Sequence, residues 1–250
     1  MIRKRLFFDI ETSPNLGFFW KAGFRLRIDY ENIIKERAII CICWKWEHQK
    51  RINGLTWDSK QNDKRILRKF IEVLNAADEA VAHNGDQFDI KWIRTRCIKH
   101  GIPMMPKYIS IDTLKIARAK FNFNSNKLDY VAKFLNAGQK INNGGLGLWK
   151  QIILKKNKTA LRKMVAYCKN DVILLEGVWK KMNLYVEPKT VFSERGACPE
   201  CGGFRREINK RRRLASGTIN IALRCIDCGK YQNVPESKLT FPIKNSIIKK

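Results

Sequence analysis

Short apolar runs that end in charged residues recur along the first half of the chain. Residues 5–10 (RLFFDI) form such a run and predict a central strand. Two β-branched and aromatic runs, at 38–47 and 51–57, are joined by a short polar turn and predict a hairpin. Shorter apolar runs at 80–82 and 108–112 predict two further strands, which brings the number of predicted strands in this part of the chain to five.

Amphipathic stretches with apolar residues at helical spacing follow or separate these strands. They predict helices over residues 63–77, 86–100, 113–121, 127–136 and 158–182. Early hairpin-connected strands followed by strand–helix units indicate an α/β domain. We therefore expect a mixed five-stranded sheet flanked by helices.

Basic residues exceed acidic residues by more than two to one, 50 against 23, which gives a formal net charge of +27. Such an excess causes self-repulsion that a polyanion relieves, so nucleic acid is the expected partner. No apolar run reaches the roughly 18–20 residues of a membrane span. Asp9 and Glu11 interrupt the N-terminal apolar run too soon for a secretory signal. These features predict a cytoplasmic protein with no membrane contact; the resemblance described below implies a bacterial or phage-infected cell.

Four of the eight cysteines form two CxxC pairs near the C-terminus, CPEC and CIDC. Each pair can turn two thiolates toward one ion, and the glycine after it permits the positive φ of such a turn. Two disulfides are the alternative, which an intracellular basic protein disfavours. The spacing predicts one structural Zn²⁺ held by four thiolates: Cys198, Cys201, Cys225 and Cys228.

The segment between the two CxxC pairs alternates like the arms of a hairpin around residues 215–217. The pairs and this hairpin together predict a zinc ribbon, a module too small to fold without its metal. The remaining four cysteines lie within apolar patterns and are predicted to be small core residues: Cys41, Cys43, Cys97 and Cys168.

Five polar side chains that are distant in sequence are candidates for one site. Asp9 and Glu11 lie two residues apart at the end of the first predicted strand, so both leave the same face of the sheet. Asp89 is near the start of a predicted helix. Asp171 is in the last predicted helix, and Tyr167 lies one turn before it on the same face. Taken singly, each acid could instead be solvated or cap an element, and the tyrosine could be an ordinary buried residue.

Three short motifs in this order resemble those of the DnaQ-like, or DEDD, 3′–5′ exonucleases. They are DIET at 9–12, NGDQFD at 84–89 and YCKND at 167–171. The histidine of the other DEDD subtype would stand at Ala166, so the resemblance is to the tyrosine subtype, DEDDy, which is typical of proofreading domains of family A and B DNA polymerases. Similar stretches occur in stand-alone exonucleases of bacteria and phages. The resemblance spans about residues 5–185 and implies an RNase H-like fold.

This resemblance also implies roles for individual residues. Two Mg²⁺ or Mn²⁺ ions would be held by Asp9, Glu11, Asp89 and Asp171, and hard ions of this kind prefer such oxygen ligands. Tyr167 would orient the attacking water. The expected contacts with the terminal nucleotide are Thr12, Asn84 and Phe88.

The expected function is a metal-dependent 3′–5′ exonuclease that acts on 3′ ends of single-stranded DNA, in DNA repair or replication. A 3′–5′ exoribonuclease is one alternative, because nothing in the motifs recognises a 2′-hydroxyl. An inactive nucleic-acid-binding adaptor is another. The expected domains are an exonuclease at 1–186, a linker at 187–196, a zinc ribbon at 197–240 and a basic tail at 241–250.

Three further segments have two interpretations each. The zinc ribbon is either a module that only stabilises the fold or a clamp on nucleic acid. A basic run near the hairpin tip favours the clamp, and it consists of Arg211, Arg212 and Arg213.

An aromatic segment after the first motif either stacks on unpaired bases or packs on the sheet as a flap. It contains Phe18, Phe19, Trp20 and Phe24 among the basic residues Lys21, Arg25 and Arg27.

A glycine-rich loop contains Gly144, Gly145 and Gly147 but lacks the Lys-Ser/Thr of a P-loop. It is either a flexible connection or a loop that closes on the strand end.

Overall fold

The computed structural model describes residues 3–21, 23, 28–104, 108–142, 144–187 and 196–239. They form two compact units. The core unit comprises the described residues within Lys4–Lys115 and Phe123–Val178. The ribbon unit comprises those within Met1–Arg3, Ile116–Asn122 and Trp179–Lys250. Most of the predicted linker, the predicted basic tail and the side chains of Phe24, Arg25 and Arg27 lie outside the described residues.

The core unit contains a mixed five-stranded sheet, as the sequence predicts. Its strands follow the order β5-β4-β1-β6-β7, and a separate two-stranded sheet pairs β2 with β3. β1 is antiparallel to β4 and parallel to β6, β4 is antiparallel to β5, and β6 is parallel to β7. The strands are β1 (Arg5–Thr12), β2 (Leu16–Gly17), β3 (Ile33–Lys35), β4 (Ile39–Trp46), β5 (Asn53–Thr56), β6 (Glu79–Ala82) and β7 (Ile109–Asp112).

Six helices accompany this sheet in the described part of the chain. They are α1 (Lys64–Asn75), α2 (Asp89–Lys99), α3 (Thr113–Lys120), α4 (Leu128–Phe134), α5 (Leu146–Ile153) and α6 (Lys158–Met182). The last helix has its predicted bounds, whereas the other predicted helices are shorter at one or both ends. α5 was not predicted separately; it begins directly after Gly145, whose φ is +61°.

The two faces of β1 have different roles. Leu6, Phe8 and Ile10 point to one face, where they are buried in a cluster with side chains of α1 and α2. Burial of each such side chain stabilises the fold by about 1.5–3 kcal/mol. Asp9 and Glu11 alternate with these residues and therefore leave the opposite face. Packing of the apolar face therefore fixes the position of β1, and with it the position of Asp9 and Glu11 on the opposite face.

Asp63 links α1, α2 and β4 from within the core. Its carboxylate is fully buried and accepts hydrogen bonds from Arg96 at 2.7 and 2.8 Å, from His100 Nε2 at 2.7 Å and from the backbone N–H of Ile39 at 2.9 Å. Burial by itself raises the pKa of Asp63, but these hydrogen bonds hold the pKa below its usual value. Asp63 precedes α1 as predicted, although it binds neighbouring elements rather than capping that helix.

The ribbon unit contains a three-stranded antiparallel sheet in the order β10-β9-β8. Its strands are β8 (Arg206–Arg213), β9 (Ile219–Cys225) and β10 (Tyr231–Pro235). β8 and β9 confirm the hairpin expected around residues 215–217, whereas β10 was not predicted. In the same unit, buried Lys230 donates hydrogen bonds to the backbone oxygens of Asn183 and Val186 and, at 3.0 Å, to Asn183 Oδ1.

The aromatic segment after β1 does not pack on the sheet in its described portion. The side chains of Phe18, Phe19 and Trp20 are all more than half exposed. The interpretation of these three residues as an apolar flap is therefore wrong, and stacking on bases stays a prediction. Among the described helices, none combines the length and apolar content required to cross a bilayer.

Candidate active site

Three carboxylates converge on the polar face of β1. Asp9 and Glu11 come from the strand itself, and Asp171 comes from α6. One oxygen from each of the three side chains lies within 4.8 Å of the other two. Strand alternation brings the first pair together, and the helical segment that supplies the third packs through Cys168, whose Sγ is 3.4 Å from Asp9 Oδ2.

Asp89 lies beside this trio. It is the first residue of α2 and is almost completely buried, and its Oδ1 accepts a hydrogen bond from the backbone N–H of Ile10 at 3.1 Å. Ile10 lies between Asp9 and Glu11, so this bond holds Asp89 against the strand that carries them. Among the charged neighbours of Asp9, Asp89 raises its pKa the most.

The turn before α2 is fixed by Asp112 at the end of β7. Asp112 Oδ1 accepts the backbone N–H of Asn84 at 3.0 Å, and its Oδ2 accepts that of Asp86 at 3.3 Å. Asn84 has a φ of +66°, which asparagine adopts more readily than most residues. The side chain of Phe88 packs against the core cluster. The Asn84 residue is half-buried. Sequence reasoning did not identify Asp112 as the residue whose carboxylate supports this turn.

Tyr167 faces the carboxylates together with a lysine that sequence reasoning missed. Lys140 Nζ donates hydrogen bonds to Tyr167 Oη at 3.0 Å and to Asp171 Oδ2 at 2.6 Å, and it lies 5.2 Å from the centre of the tyrosine ring. The backbone N–H of Lys140 donates to Asp129 Oδ1 of α4 at 2.9 Å. Lys140 lies in a loop, where no periodic pattern distinguishes it from the other basic residues.

The carboxyl groups of the site have strongly raised pKa values. Burial, followed by repulsion from Asp171, raises the pKa of Glu11 to about 8. Burial raises the pKa of Asp89 to about 7. Burial followed by repulsion from the other three acids raises the pKa of Asp9 well above its usual value. The pKa of Asp171 is also raised by burial, although Lys140 opposes this shift.

The same environment also shifts the pKa values of Lys140 and Tyr167. Burial lowers the pKa of Lys140, but attraction to Asp171 and hydrogen bonds to Asp171 and Tyr167 outweigh it, so the net pKa is raised. Burial raises the pKa of Tyr167 above its usual value. At neutral pH the tyrosine therefore keeps its proton and can donate or accept a hydrogen bond.

The site fits hard divalent cations by the chemistry of its donors. All its ligand atoms are carboxylate oxygens, which Mg²⁺ and Mn²⁺ prefer. Asp171 Oδ1 is buried and accepts no hydrogen bond from the described residues, although a buried carboxylate oxygen needs a partner. Mutual repulsion among the acids would be relieved by added positive charge. Lys140 supplies only one such charge.

The carbonyl of Thr12, directly after the two acids, already accepts one of the two hydrogen bonds that a carbonyl oxygen can accept. It accepts a hydrogen bond from Trp149 Nε1 of α5 at 2.9 Å. This bond connects the end of β1 to the helix that follows the glycine-rich loop. Sequence reasoning missed Trp149, because it lies between the glycine-rich loop predicted at 142–147 and the helix predicted over 158–182.

A second cluster of candidate metal ligands lies in the ribbon unit. Its four sulfurs lie within 4.8 Å of one another, with Cys198 and Cys228 as well as Cys201 and Cys225 only 3.6 Å apart. The turns close through Gly202 and Gly229, whose φ values are +76° and +74° and whose N–H groups donate to the carbonyls of Cys198 and Cys225. This geometry fits the predicted zinc ribbon.

The three predicted substrate-binding arginines lie at the end of β8 and are exposed. Arg211 has an ion pair with Glu236 at 3.4 Å, in which both side chains remain well exposed. Exposed pairs of this kind contribute only about 0–1 kcal/mol, so they do not prevent Arg211 from binding another anion.

Comparison with known proteins identifies the family. A family model described as RNase H superfamily (RNase_H_2) matches residues 28–183, which is more than half of the chain. The chain belongs to the RNase H superfamily. This membership confirms the predicted RNase H-like fold. The matched residues include Asp89, Tyr167 and Asp171, whereas the two acids of β1 precede them.

This RNase H superfamily chain is also similar to DNA polymerases. It is 32% identical over 135 residues to a "DNA polymerase III PolC-type" of Ureaplasma parvum and 31% identical over 101 residues to a "DNA polymerase" of Thermococcus kodakarensis. These matches cover 50% and 40% of the chain but only 9% and 6% of those relatives. The fold resembles that of the family B DNA polymerase from Pyrobaculum calidifontis, with a TM-score of 0.57, 17% identity, and coverage of 74% of this chain and 26% of that one.

Proposed function

We propose that this protein is a metal-dependent 3′–5′ exonuclease that removes nucleotides from the 3′ ends of single-stranded DNA. The observation that carries the proposal is the convergence of Asp9, Glu11 and Asp171, with Asp89 held against the same strand. Family membership and the similarity to DNA polymerases support nuclease activity. The direction of attack and the preference for DNA rest on the resemblance of the three motifs to DEDDy exonucleases.

The four acids would hold two Mg²⁺ or Mn²⁺ ions. Asp9, whose pKa is raised by each of the other three acids, would bridge them, with Glu11 and Asp171 at one ion and Asp89 at the other. When bound, such ions activate water and neutralise charge on the phosphate and the leaving oxygen. The raised pKa values mean that the acids must lose protons before they can act as ligands.

The remaining residues of the site would position the reactants. Tyr167 keeps its proton at neutral pH and would orient the attacking water by a hydrogen bond. Lys140, hydrogen-bonded to both Tyr167 and Asp171, would hold these two side chains in register. Asn84, Phe88 and the backbone at Thr12 would contact the terminal nucleotide.

The C-terminal module would hold one structural Zn²⁺ through its four cysteines and grip the nucleic acid. The convergence of the sulfurs supports zinc binding, and the exposed arginines of β8 support contact with phosphates. We retain the division into an exonuclease domain at 1–186 and a ribbon at 197–240 as part of this proposal.

Oligonucleotides labelled at their 5′ ends test the activity. With Mg²⁺ or Mn²⁺, the protein is expected to convert labelled single-stranded DNA into a ladder of successively shorter products, and EDTA is expected to stop it. Preference for RNA would instead identify an exoribonuclease. Tight binding without any shortening would identify an adaptor and contradict the proposal.

Two matched amide variants separate the site from the rest of the protein. Asp9→Asn removes the proposed bridging ligand and is expected to reduce the cleavage rate by at least about 10³-fold while DNA binding remains. Glu72→Gln changes an exposed acid of α1 that pairs only with Lys69 among the described contacts, and it is expected to leave the rate unchanged. Equal rates in the two variants would exclude the carboxylate cluster as the site.

A further inference from the structure

A third cluster of potential metal ligands lies next to the carboxylates. Cys41 and Cys43 of β4 point to the same face of the sheet as Glu11 and Asp9, with which they are paired across the strands. Cys168 reaches them from α6. The three sulfurs are fully buried and lie within 4.8 Å of one another. The sequence predicted that each of them is a core residue, but it could not show that they meet.

The separation of these sulfurs suits a soft cation. A zinc–sulfur bond is about 2.3 Å long, which places two sulfurs of a tetrahedral ion about 3.8 Å apart. The three buried sulfurs lie within 4.8 Å of one another, as do the four sulfurs of the ribbon. Only small side-chain rotations would therefore bring them to ligand distance. Thiolates prefer d¹⁰ ions such as Zn²⁺, Cd²⁺ and Cu⁺ to Mg²⁺.

One carboxylate oxygen lies next to the sulfur cluster. Cys168 Sγ is 3.4 Å from Asp9 Oδ2 and also 3.4 Å from the backbone oxygen of Asp9. The Asp9 carboxylate does not lie within 4.8 Å of all three sulfurs, so it would have to turn toward Cys41 and Cys43 to complete a tetrahedral set of three sulfurs and one oxygen.

We propose that Cys41, Cys43 and Cys168 bind a thiophilic d¹⁰ dication, such as Zn²⁺ or Cd²⁺, with the Asp9 carboxylate as the fourth ligand. Three metal–sulfur bonds and one metal–oxygen bond form as the ion gives up bound waters, the three thiol protons and any proton on Asp9 pass to solvent, and neither the ion nor the sulfurs change oxidation state. The site takes the carboxylate that would bridge the two hard ions. Occupation by a soft ion therefore inhibits the nuclease, a consequence that rests on the proposed function, whereas binding itself does not.

Cadmium-113 NMR of the full wild-type chain tests binding without any measurement of activity. Excess Mg²⁺ occupies oxygen-only sites, and ¹¹³Cd²⁺ is then added in stages. Two protein resonances are expected: one from the four-sulfur ribbon and one at higher field, because an oxygen replaces one sulfur. A single four-sulfur resonance at every cadmium concentration would overturn the proposal.

Three alanine variants assign the second resonance. Cys168→Ala and Cys41→Ala each remove a ligand and are expected to lose it while keeping the ribbon resonance, which shows that the ribbon unit has folded. Cleavage in Mg²⁺ alone reports whether the core unit of each variant has folded. Cys97→Ala removes an equally buried cysteine outside the cluster and is expected to keep both. Persistence of the second resonance in both ligand variants would place the ion elsewhere and overturn the assignment.

Cleavage assays in excess Mg²⁺ test the consequence separately. Cadmium beyond the ribbon equivalent is expected to stop cleavage by the wild type and Cys97→Ala but not by Cys41→Ala, which removes a sulfur that does not contact Asp9 in the described contacts. Inhibition of all three proteins alike would contradict the proposed competition. A second resonance in a chain that cleaves nothing would support the thiol site and refute the proposed nuclease function.

Discussion

Glu11 and Asp89 are acids whose pKa values lie close to neutral pH, so both are partly protonated there. Their pKa values in the metal-free protein are about 8 and about 7, mainly because they are buried. A folded-state pKa above the unfolded value means that the folded state binds more protons. The cluster therefore contributes less to stability as the pH rises from about 4 toward about 8.

Mg²⁺ binding is expected to counteract the loss of stability at higher pH. In EDTA, the thermal unfolding midpoint should fall between about pH 5.5 and about pH 8, and Mg²⁺ should raise it more at the higher pH because the acids are then ionised. Calorimetric titration in buffers of different ionisation enthalpy should detect proton release when Mg²⁺ binds. A stabilisation by Mg²⁺ that is equal at both pH values would contradict this account.

Lys140 counteracts the effect of burial on Asp171. Lys140→Met removes the ammonium that contacts Asp171 Oδ2 and is expected to raise the pKa of this carboxyl further. NMR titration of the Asp171 carboxyl carbon in metal-free protein measures the shift. Lys99→Met, in the exposed last turn of α2, is the control and should leave the titration unchanged. An unchanged pKa in Lys140→Met would show that the ion pair is screened.

The sequence predicted the acids of this site better than their neighbours. Strand alternation predicts that Asp9 and Glu11 share one face of β1, and helical spacing predicts that Tyr167 and Asp171 share one face of α6. A local pattern was therefore enough to place each pair. Lys140 reaches the site from a loop, which has no periodicity. Contacts of that kind depend on tertiary structure and could not be predicted from spacing.

At the scale of elements, hydrophobic periodicity predicted the five strands of the main sheet and most helices, but it did not predict α5 or the strands β2, β3 and β10. The five strands of the main sheet have apolar runs that packing requires. β10 (YQNVP) is stabilised by pairing with β9 and contains polar residues, so its sequence has no strand pattern. β2 has only two residues, too few for any period.

Arg96 of α2 is expected to stabilise the packing of α1, α2 and β4, because it pairs with the buried Asp63 carboxylate that links them. Arg96→Met leaves the buried Asp63 carboxylate without its bidentate partner and should lower the free energy of unfolding by about 3–5 kcal/mol. Urea denaturation measures this change. Arg68→Met, on the exposed side of α1, should alter it by less than about 0.5 kcal/mol. A similar effect of both substitutions would mean that the buried network contributes little.

At the scale of the whole molecule, the charge of +27 predicts binding to nucleic acid that weakens with salt. Replacing Arg211, Arg212 and Arg213 together by glutamine removes three proposed phosphate contacts. For single-stranded DNA, each contact contributes about 0.7 to the slope of log affinity against log salt, so the slope should decrease by about 2. Fluorescence anisotropy over a salt series measures it.

A control with the same change in total charge shows whether position matters. Lys60, Arg68 and Lys99 are exposed residues of the core unit, and their joint replacement by glutamine removes the same three charges. We expect a smaller decrease of the slope than for the β8 variant. Equal decreases would mean that binding depends on net charge alone and that β8 has no special role.

The position of β8 as an outer strand has a consequence for solubility. One edge of this strand presents main-chain amides and carbonyls that could template a strand from another molecule. Consecutive cationic side chains and the irregular register between Ile208 and Lys210 make such an addition unfavourable, because two copies would repel each other and could not align flat. The basic run is therefore expected to disfavour aggregation through this edge of the sheet.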